Sequence, residues 1–498
     1  MVFENQLIKE ILEKYREIWA IGHAQALLEW DSETYMPREG LEERAVARAE
    51  LSLLAQKLIL KPEFVELVER ASGVEALNDY ERGVVRVLAR EIRIMKAIPP
   101  RLLAELTKTT QEAMYAWRVA KESDDFSKFK PYLEKIVELT REKADCLGWK
   151  EHPYDALLDL YEEGLTTRDV DNVLEPLARD LKVILEKVVS EGRFPRKHPL
   201  EDVKYERSWM ESVNSEVLRL LGYPLGDKAR LDVSAHPFTI GIGLGDVRIT
   251  TRYEGFDFKR SLLSTIHEFG HATYELQINP SLKFTPLATG VSLGVHEGQS
   301  RFWENIVGRS REFLEFIYPV LRRNLPFIEK YTPEDVYYYF NAVRPSLIRT
   351  EADEVTYNLH IVLRARLEKL MVKGEIKVSE LPEQWNNLME ELLGVKPTRD
   401  SEGVLQDIHW SMGSIGYFPT YTLGNLVAAQ MKYHMEKDLN LKEKIASGSF
   451  NELKEWQRVK IHSYGSTYPP KELLRRAFSE EYVPEYWLKY LREKYLSI

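Results

Sequence analysis

His267 and His271 stand four residues apart in the run His267-Glu268-Phe269-Gly270-His271. On an α-helix this spacing turns the second imidazole only about 40° from the first and one turn along the axis, so both rings can face one ion. Glu268 lies between them, on the side where a water on that ion would stand. A carboxylate there can take a proton from the water and hand it to a leaving amine. The chemistry this pattern suits is hydrolysis assisted by a divalent cation. Such a cation takes three protein ligands and keeps a fourth position open. Cys146 is the only cysteine, so the ligands must be imidazoles and carboxylates, and no intrachain disulfide is possible.

The third ligand has several candidates. A metzincin pattern would need Gly at 274 and His at 277, but the chain has Tyr274 and Gln277. Glu275, one turn beyond His271, would point along the axis and is read as a helix-surface carboxylate. Glu297, in Gly294-Val295-His296-Glu297-Gly298-Gln299 at the start of a following helix, is the preferred ligand. Its competing reading is an exposed i,i+4 pair with Arg301, worth only about 0.3–0.5 kcal/mol. His296 is the rival ligand and could equally orient a ligand from behind.

The elements that must carry these residues are mostly helical. Ile8, Ile11, Leu12 and Tyr15 share one helical face, and the period continues through Ala45 to Leu58 and Leu102 to Ala120. Pro99-Pro100 opens one helix, and Thr166-Thr167-Arg168-Asp169 is a start signal for another. Asp257 is placed to cap the helix that carries the His pair, and Pro280 follows its end. The pattern changes only between Ala229 and Tyr253. There Asp246-Val247-Arg248-Ile249-Thr250-Thr251-Arg252-Tyr253 alternates as a half-buried strand, and with His236-Pro237-Phe238-Thr239-Ile240 it predicts a small antiparallel sheet beside the His-pair helix. Asp246, Arg248 and Thr250 share its polar face. With no low-complexity linker and no internal repeat, the 498 residues are read as a single catalytic domain, 1–498.

Composition excludes other classes. A net charge of −10, spread in mixed clusters without a basic block, argues against nucleic acid. No apolar stretch reaches membrane-spanning length, and the N-terminal residues run directly into a charged amphipathic pattern, so a cytoplasmic protein with no membrane partner is expected. The many Glu, Lys and Arg residues beside one Cys suit a thermostable protein.

Further short runs accompany the His-pair box. They are His236-Pro237-Phe238, Asp246-Val247-Arg248-Ile249-Thr250, Ile348-Arg349-Thr350-Glu351-Ala352-Asp353 and Gly403-Val404-Leu405-Gln406-Asp407-Ile408-His409-Trp410. In this order they resemble the HPF, DXRXT, IRXXAD and GXXQDXHW motifs of the carboxypeptidase Taq family, metallopeptidase family 32. Trp30-Asp31 and Met36-Pro37 are similar as well. One departure is Gly298, where the family usually has Ser after the third ligand. The resemblance implies a helical ellipsoid with a deep active-site groove, a homodimer, and a carboxypeptidase with one Zn²⁺ per chain, replaceable by Co²⁺ or another divalent ion. It also implies broad specificity toward peptide substrates with a free C-terminus.

Within that frame Arg349 offers a planar fork to a substrate carboxylate, against an internal pair with Glu351 or Asp353, and Arg248 is the next candidate. His409 precedes Gly413 to Tyr421, read as a mobile loop. His409, with His236, Tyr417 or Tyr421, could donate to the oxyanion of a tetrahedral intermediate. Two other readings stand beside this one. A zinc oligopeptidase would cut internally, without needing a free C-terminus. A catalytically silent helical binding protein would hold the His pair as structure only.

Overall fold

The computed structural model describes residues 2–496; Met1, Ser497 and Ile498, the outermost residues of the expected 1–498 domain, lie outside the described residues. The chain divides into two compact units, each assembled from three segments. The first comprises Met1–Lys96, Pro199–Phe340 and Val427–Glu481, and the second Ala97–His198, Asn341–Leu426 and Tyr482–Ile498.

The first unit opens with helices Gln6–Thr34, Leu41–Ile59 and Pro62–Ser72, followed by Asp79–Ala97. The 3.6-residue period seen in the sequence is their core stripe. Ile8 and Ile11 are fully buried with Phe64, Val68, Leu88 and Ile92, while Leu12 and Tyr15 pack partly buried against the same cluster. Three strands follow: β1 (Ala229–Val233), β2 (Thr239–Gly243) and β3 (Asp246–Thr251). β3 is central. It pairs antiparallel with β2, as expected, but parallel with β1, so the sheet is mixed rather than wholly antiparallel. The physical reason is the short link at 234–238, which carries the chain from one edge of β3 to the other. Alternation reveals a strand but not its neighbour. Val247 and Ile249 form the buried face of β3, and Thr250, assigned to the polar face, is itself fully buried. Its hydroxyl receives the Phe238 N–H at 2.9 Å and lies 2.7 Å from Ser234 Oγ, fastening that link.

The helix carrying the His pair runs Lys259–Leu276. Phe258, not Asp257, occupies its N-cap position, and Asp257 adopts a positive φ while its carboxylate accepts from Arg260 and from the Tyr339 hydroxyl. The next long element is Leu293–Arg301, capped by Ser292 and continued by a π-turn at Phe302–Val307. Gly270 lets these two elements meet. A Cβ there would lie 2.5 Å from Ser300 Cα and 2.7 Å from the Gln299 carbonyl, so any side chain would wedge apart the helices that hold His271 and Glu297.

The second unit is helical: Pro100–Glu122, Lys130–Leu147, Pro153–Tyr161, Thr167–Glu191, Tyr357–Lys373 and Leu381–Leu393 are its main elements. Pro100 opens its helix, and Thr166 and Asp169 form a reciprocal capping box, both as the sequence predicts. The Tyr357–Lys373 helix is buried nearly all round, including His360, Arg364 and Glu368, which are spaced four apart and therefore share a face. No helix among the described residues is long and apolar enough to cross a membrane.

Candidate active site

In the first unit, His267 Nε2 and His271 Nε2 lie 3.6 and 3.4 Å from Glu297 Oε2, and the three donor atoms all fall within 4.8 Å of one another. Donors about 2.1 Å from a tetrahedral ion stand about 3.4 Å apart, so the trio fits one divalent cation of zinc size. The Arg301 contact uses the other Glu297 oxygen, which accepts from Arg301 Nε at 2.7 Å and leaves Oε2 facing the imidazoles. The pair is almost fully buried and is not the solvated surface contact of the competing reading.

The opposite edge of each imidazole is fixed. His267 Nδ1 lies 2.8 Å from Glu304 Oε2, and His271 Nδ1 lies 2.7 Å from His296 Nδ1, whose Nε2 is 2.8 Å from Glu275 Oε1. One proton arrangement that satisfies this chain keeps both rings neutral. His271 donates from Nδ1, His296 accepts there and donates from Nε2 to Glu275, and His271 Nε2 keeps its lone pair for the ion. Both nitrogens of His296 thereby have partners, and His296 is not among the three donors that converge. Glu275, read from the sequence as a surface carboxylate, is instead buried. It also accepts from the Gly290 N–H at 2.9 Å, and a Cβ at Gly290 would collide with His296 at 2.5 Å.

Electrostatics ready Glu297 and His271 for a cation, whereas burial, which would lower the His267 ring, is outweighed by Glu297 and Glu304, which raise it. Burial would raise the Glu297 carboxyl, but Arg301 and the two imidazoles hold it well below its ordinary range. Burial opposes the Glu304 carboxylate as well, yet Arg301 and His267 bring it down to about 2. Burial, with the neighbouring His296 and His267, lowers His271 to about 3, so its ring is neutral. Deprotonated carboxylate and neutral imidazole are the forms a metal needs. Glu268 differs, because burial raises its carboxyl. Its Oε2 accepts from Thr239 Oγ1 at 2.6 Å, which ties the carboxylate to β2.

Arg248 forks onto Asp246 through Nε and Nη2 at 2.8 and 2.7 Å, with its guanidinium 5.4 Å from the Trp30 ring. His236 is exposed on the link before β2, and its ring makes no hydrogen bond with a described residue.

A separate cluster occupies the second unit. Arg349 is buried and paired, but with neither Glu351 nor Asp353. Its Nε and Nη2 donate to Asp407 Oδ1 at 3.0 and 2.8 Å, and Nη1 donates to the Tyr357 hydroxyl. Arg364 donates to the other Asp407 oxygen at 2.7 Å. Two guanidiniums thus share one carboxylate, leaving an excess buried positive charge suited to another carboxylate. His409 Nε2 lies 3.2 Å from the Tyr421 hydroxyl, and burial, reinforced by the two arginines, lowers the ring to about 4. It is therefore neutral near pH 7. Tyr417 packs 5.3 Å from the Tyr421 ring and 5.4 Å from His409.

The stretch from Gly413 to Tyr421, expected as a mobile loop, is packed. Ile415 and Phe418 are each 1 % exposed, the Gly416 N–H and Trp410 Nε1 both donate to Glu368 at 2.9 Å, and a helix begins at Pro419.

The profile of the carboxypeptidase Taq (M32) metallopeptidase family matches residues 10–495. The chain belongs to this family. It is 61 % identical over 496 residues to thermostable carboxypeptidase 1 of Pyrococcus furiosus, covering 99 % of both chains. It is 39 % identical over 509 residues to thermostable carboxypeptidase 1 of Thermus thermophilus, covering 98 % of both. The solved structure of Pyrococcus furiosus carboxypeptidase superposes with a TM-score of 0.99, covering 99 % of this chain and all of that one. The protein is thus a metal-dependent carboxypeptidase of mostly helical fold with a small sheet, and the silent-binding-protein reading falls away.

The His pair, Glu268 and Glu297 were all accessible to sequence reasoning. Glu304, Thr239, Asp407 and Arg364 were missed in this Taq-type carboxypeptidase. Glu304 carried a usable signal, because Glu297, Arg301 and Glu304 at i, i+4 and i+7 share one helix face and are the charged residues of that run.

Proposed function

We propose that one divalent ion, zinc with cobalt or another divalent ion able to replace it, binds His267, His271 and Glu297, and that the enzyme releases single C-terminal residues from peptides with broad side-chain tolerance. The observation carrying this reading is the convergence of His267 Nε2, His271 Nε2 and Glu297 Oε2 beside the Glu268 carboxylate on one helix. When bound, the ion supplies Lewis acidity toward the last peptide carbonyl and the attacking water.

The chain's own residues do the rest. Glu268 accepts a proton as the water oxygen bonds to the carbonyl carbon. The same carboxyl then protonates the amine nitrogen as the C–N bond breaks. Thr239 holds one Glu268 oxygen and leaves the other for the proton. His409, with His236, Tyr417 or Tyr421, donates to the developing oxyanion. Arg349 receives the substrate carboxylate, a role favoured by the two-to-one ratio of guanidinium to carboxylate around Asp407, and Arg248 is the alternative. We place the enzyme in the cytoplasm as a homodimer, each chain one catalytic domain spanning 1–498.

The test is one blocked dipeptide assayed as free acid and as amide, with and without a chelator. The proposal expects cleavage of the acid only, abolished by chelation and restored by added zinc. Equal cleavage of the amide would favour an oligopeptidase.

A further inference from the structure

A cavity of about 640 Å³ opens in the first unit, walled by the Gln6–Thr34, Leu41–Ile59 and Asp79–Ala97 helices, the β2–β3 turn and Phe284. Its deep wall carries Tyr15, Ile18, Met95 and the Glu91 carboxylate. Glu91 makes no hydrogen bond or ion pair with a described residue, and burial raises its carboxyl. Trp19 and Phe284 meet edge to face at 4.6 Å on the same cavity. Aromatic faces and aliphatic walls leading to an unpaired, partly buried carboxylate match a cation on an aliphatic stem. Lys283 is exposed on this wall, Arg16 stands 5.8 Å from the Phe284 ring, and Asp246, which also lines the cavity, is paired with Arg248, which leaves Glu91 as its unpaired carboxylate.

The position relative to the reacting bond follows from β2. Thr239, at one end, bonds the Glu268 side chain and carbonyl, while Gly243, at the other, lines the cavity. The four steps from Thr239 to Gly243 span about 13 Å, and an extended peptide advances at the same rate. A carboxypeptidase substrate has a single residue on the C-terminal side of the bond it loses. A peptide residue that reaches about 13 Å from Glu268 therefore lies on the N-terminal side of that bond.

We propose that this cavity is a subsite for a basic side chain, lysine or arginine, carried three to five residues to the N-terminal side of the scissile bond. The proposal rests on Glu268 marking that bond.

The experiment measures kcat/KM for acetylated neutral heptapeptides with one C-terminal residue in common and a single Lys placed in turn at the first to sixth position before the scissile bond, with norleucine and Glu controls. Acetylation removes the competing terminal ammonium. The expected result is a Lys advantage of about tenfold over norleucine, confined to the third to fifth positions. Glu91→Gln should abolish it, and Phe284→Leu should reduce it. Both variants should cleave an acetylated tripeptide, too short to reach the cavity, at the wild-type rate. A Lys advantage that is absent, uniform along the peptide or retained by Glu91→Gln would overturn the subsite. Loss of tripeptide cleavage in Glu268→Gln reports separately on the base.

Discussion

Glu304 Oε2 accepts the Nδ1 proton of His267 at 2.8 Å and receives Arg301 Nη1 at 3.1 Å, so one carboxylate fixes both the His267 imidazole and the arginine that pairs with Glu297. Removing its charge should loosen the site from behind. Glu304→Gln should weaken metal binding by about 10–100-fold without removing any ligand. Competition with a chromogenic chelator measures this, and an unchanged affinity would reduce Glu304 to a packing role.

Arg349 is expected to read the free carboxylate of the substrate. Arg349→Ala should cut the preference for free-acid over amide peptides by about 10–100-fold, the scale of a charge-assisted hydrogen bond. Arg349→Lys should restore it only in part, because an ammonium lacks the fork. The ratio of kcat/KM values for matched acid and amide peptides decides. Undiminished discrimination in Arg349→Ala would move the role to Arg248.

Stability should carry a pH signature from Glu368. Burial raises its carboxyl to about 7 despite hydrogen bonds from Tyr154, Gly416 and Trp410. Between the ordinary carboxyl range near 4.3 and about 7, the folded protein keeps a proton that the unfolded chain has released. This contribution is therefore present in full below that window and is lost as pH rises through it, a change of about 3–4 kcal/mol. Guanidinium denaturation of wild type and Glu368→Gln at pH 5 and pH 8 isolates it. The wild type should lose stability relative to the variant on going to pH 8, and parallel behaviour would show that Glu368 stays ionised throughout.

The sequence disclosed those parts of the site whose geometry is local. His267, Glu268 and His271 lie within two turns of one helix, so spacing alone sets their directions. Thr166 and Asp169 likewise announce a cap without reference to anything distant. Glu297 is the preferred third ligand on its place in the chain alone, but the contact that sets its helix against the His pair, the close approach at Gly270, is not local. Glu275 was misjudged because its partners, Gly290 and His296, come from the following segment. For Arg349 the competing reading named neighbours in its own motif, whereas its partner Asp407 is 58 residues away. The parallel pairing of β1 eluded alternation for the same reason, since pairing order is set by where the 234–238 link crosses.

The central claim is that His267, His271 and Glu297 hold the ion while Glu268 moves the proton. It is tested most directly by metal content and turnover measured on one preparation of Glu268→Gln. One equivalent of metal per chain with turnover lowered by about 10²–10⁴ is the predicted result. Loss of the metal from that variant would contradict the account and make Glu268 a ligand.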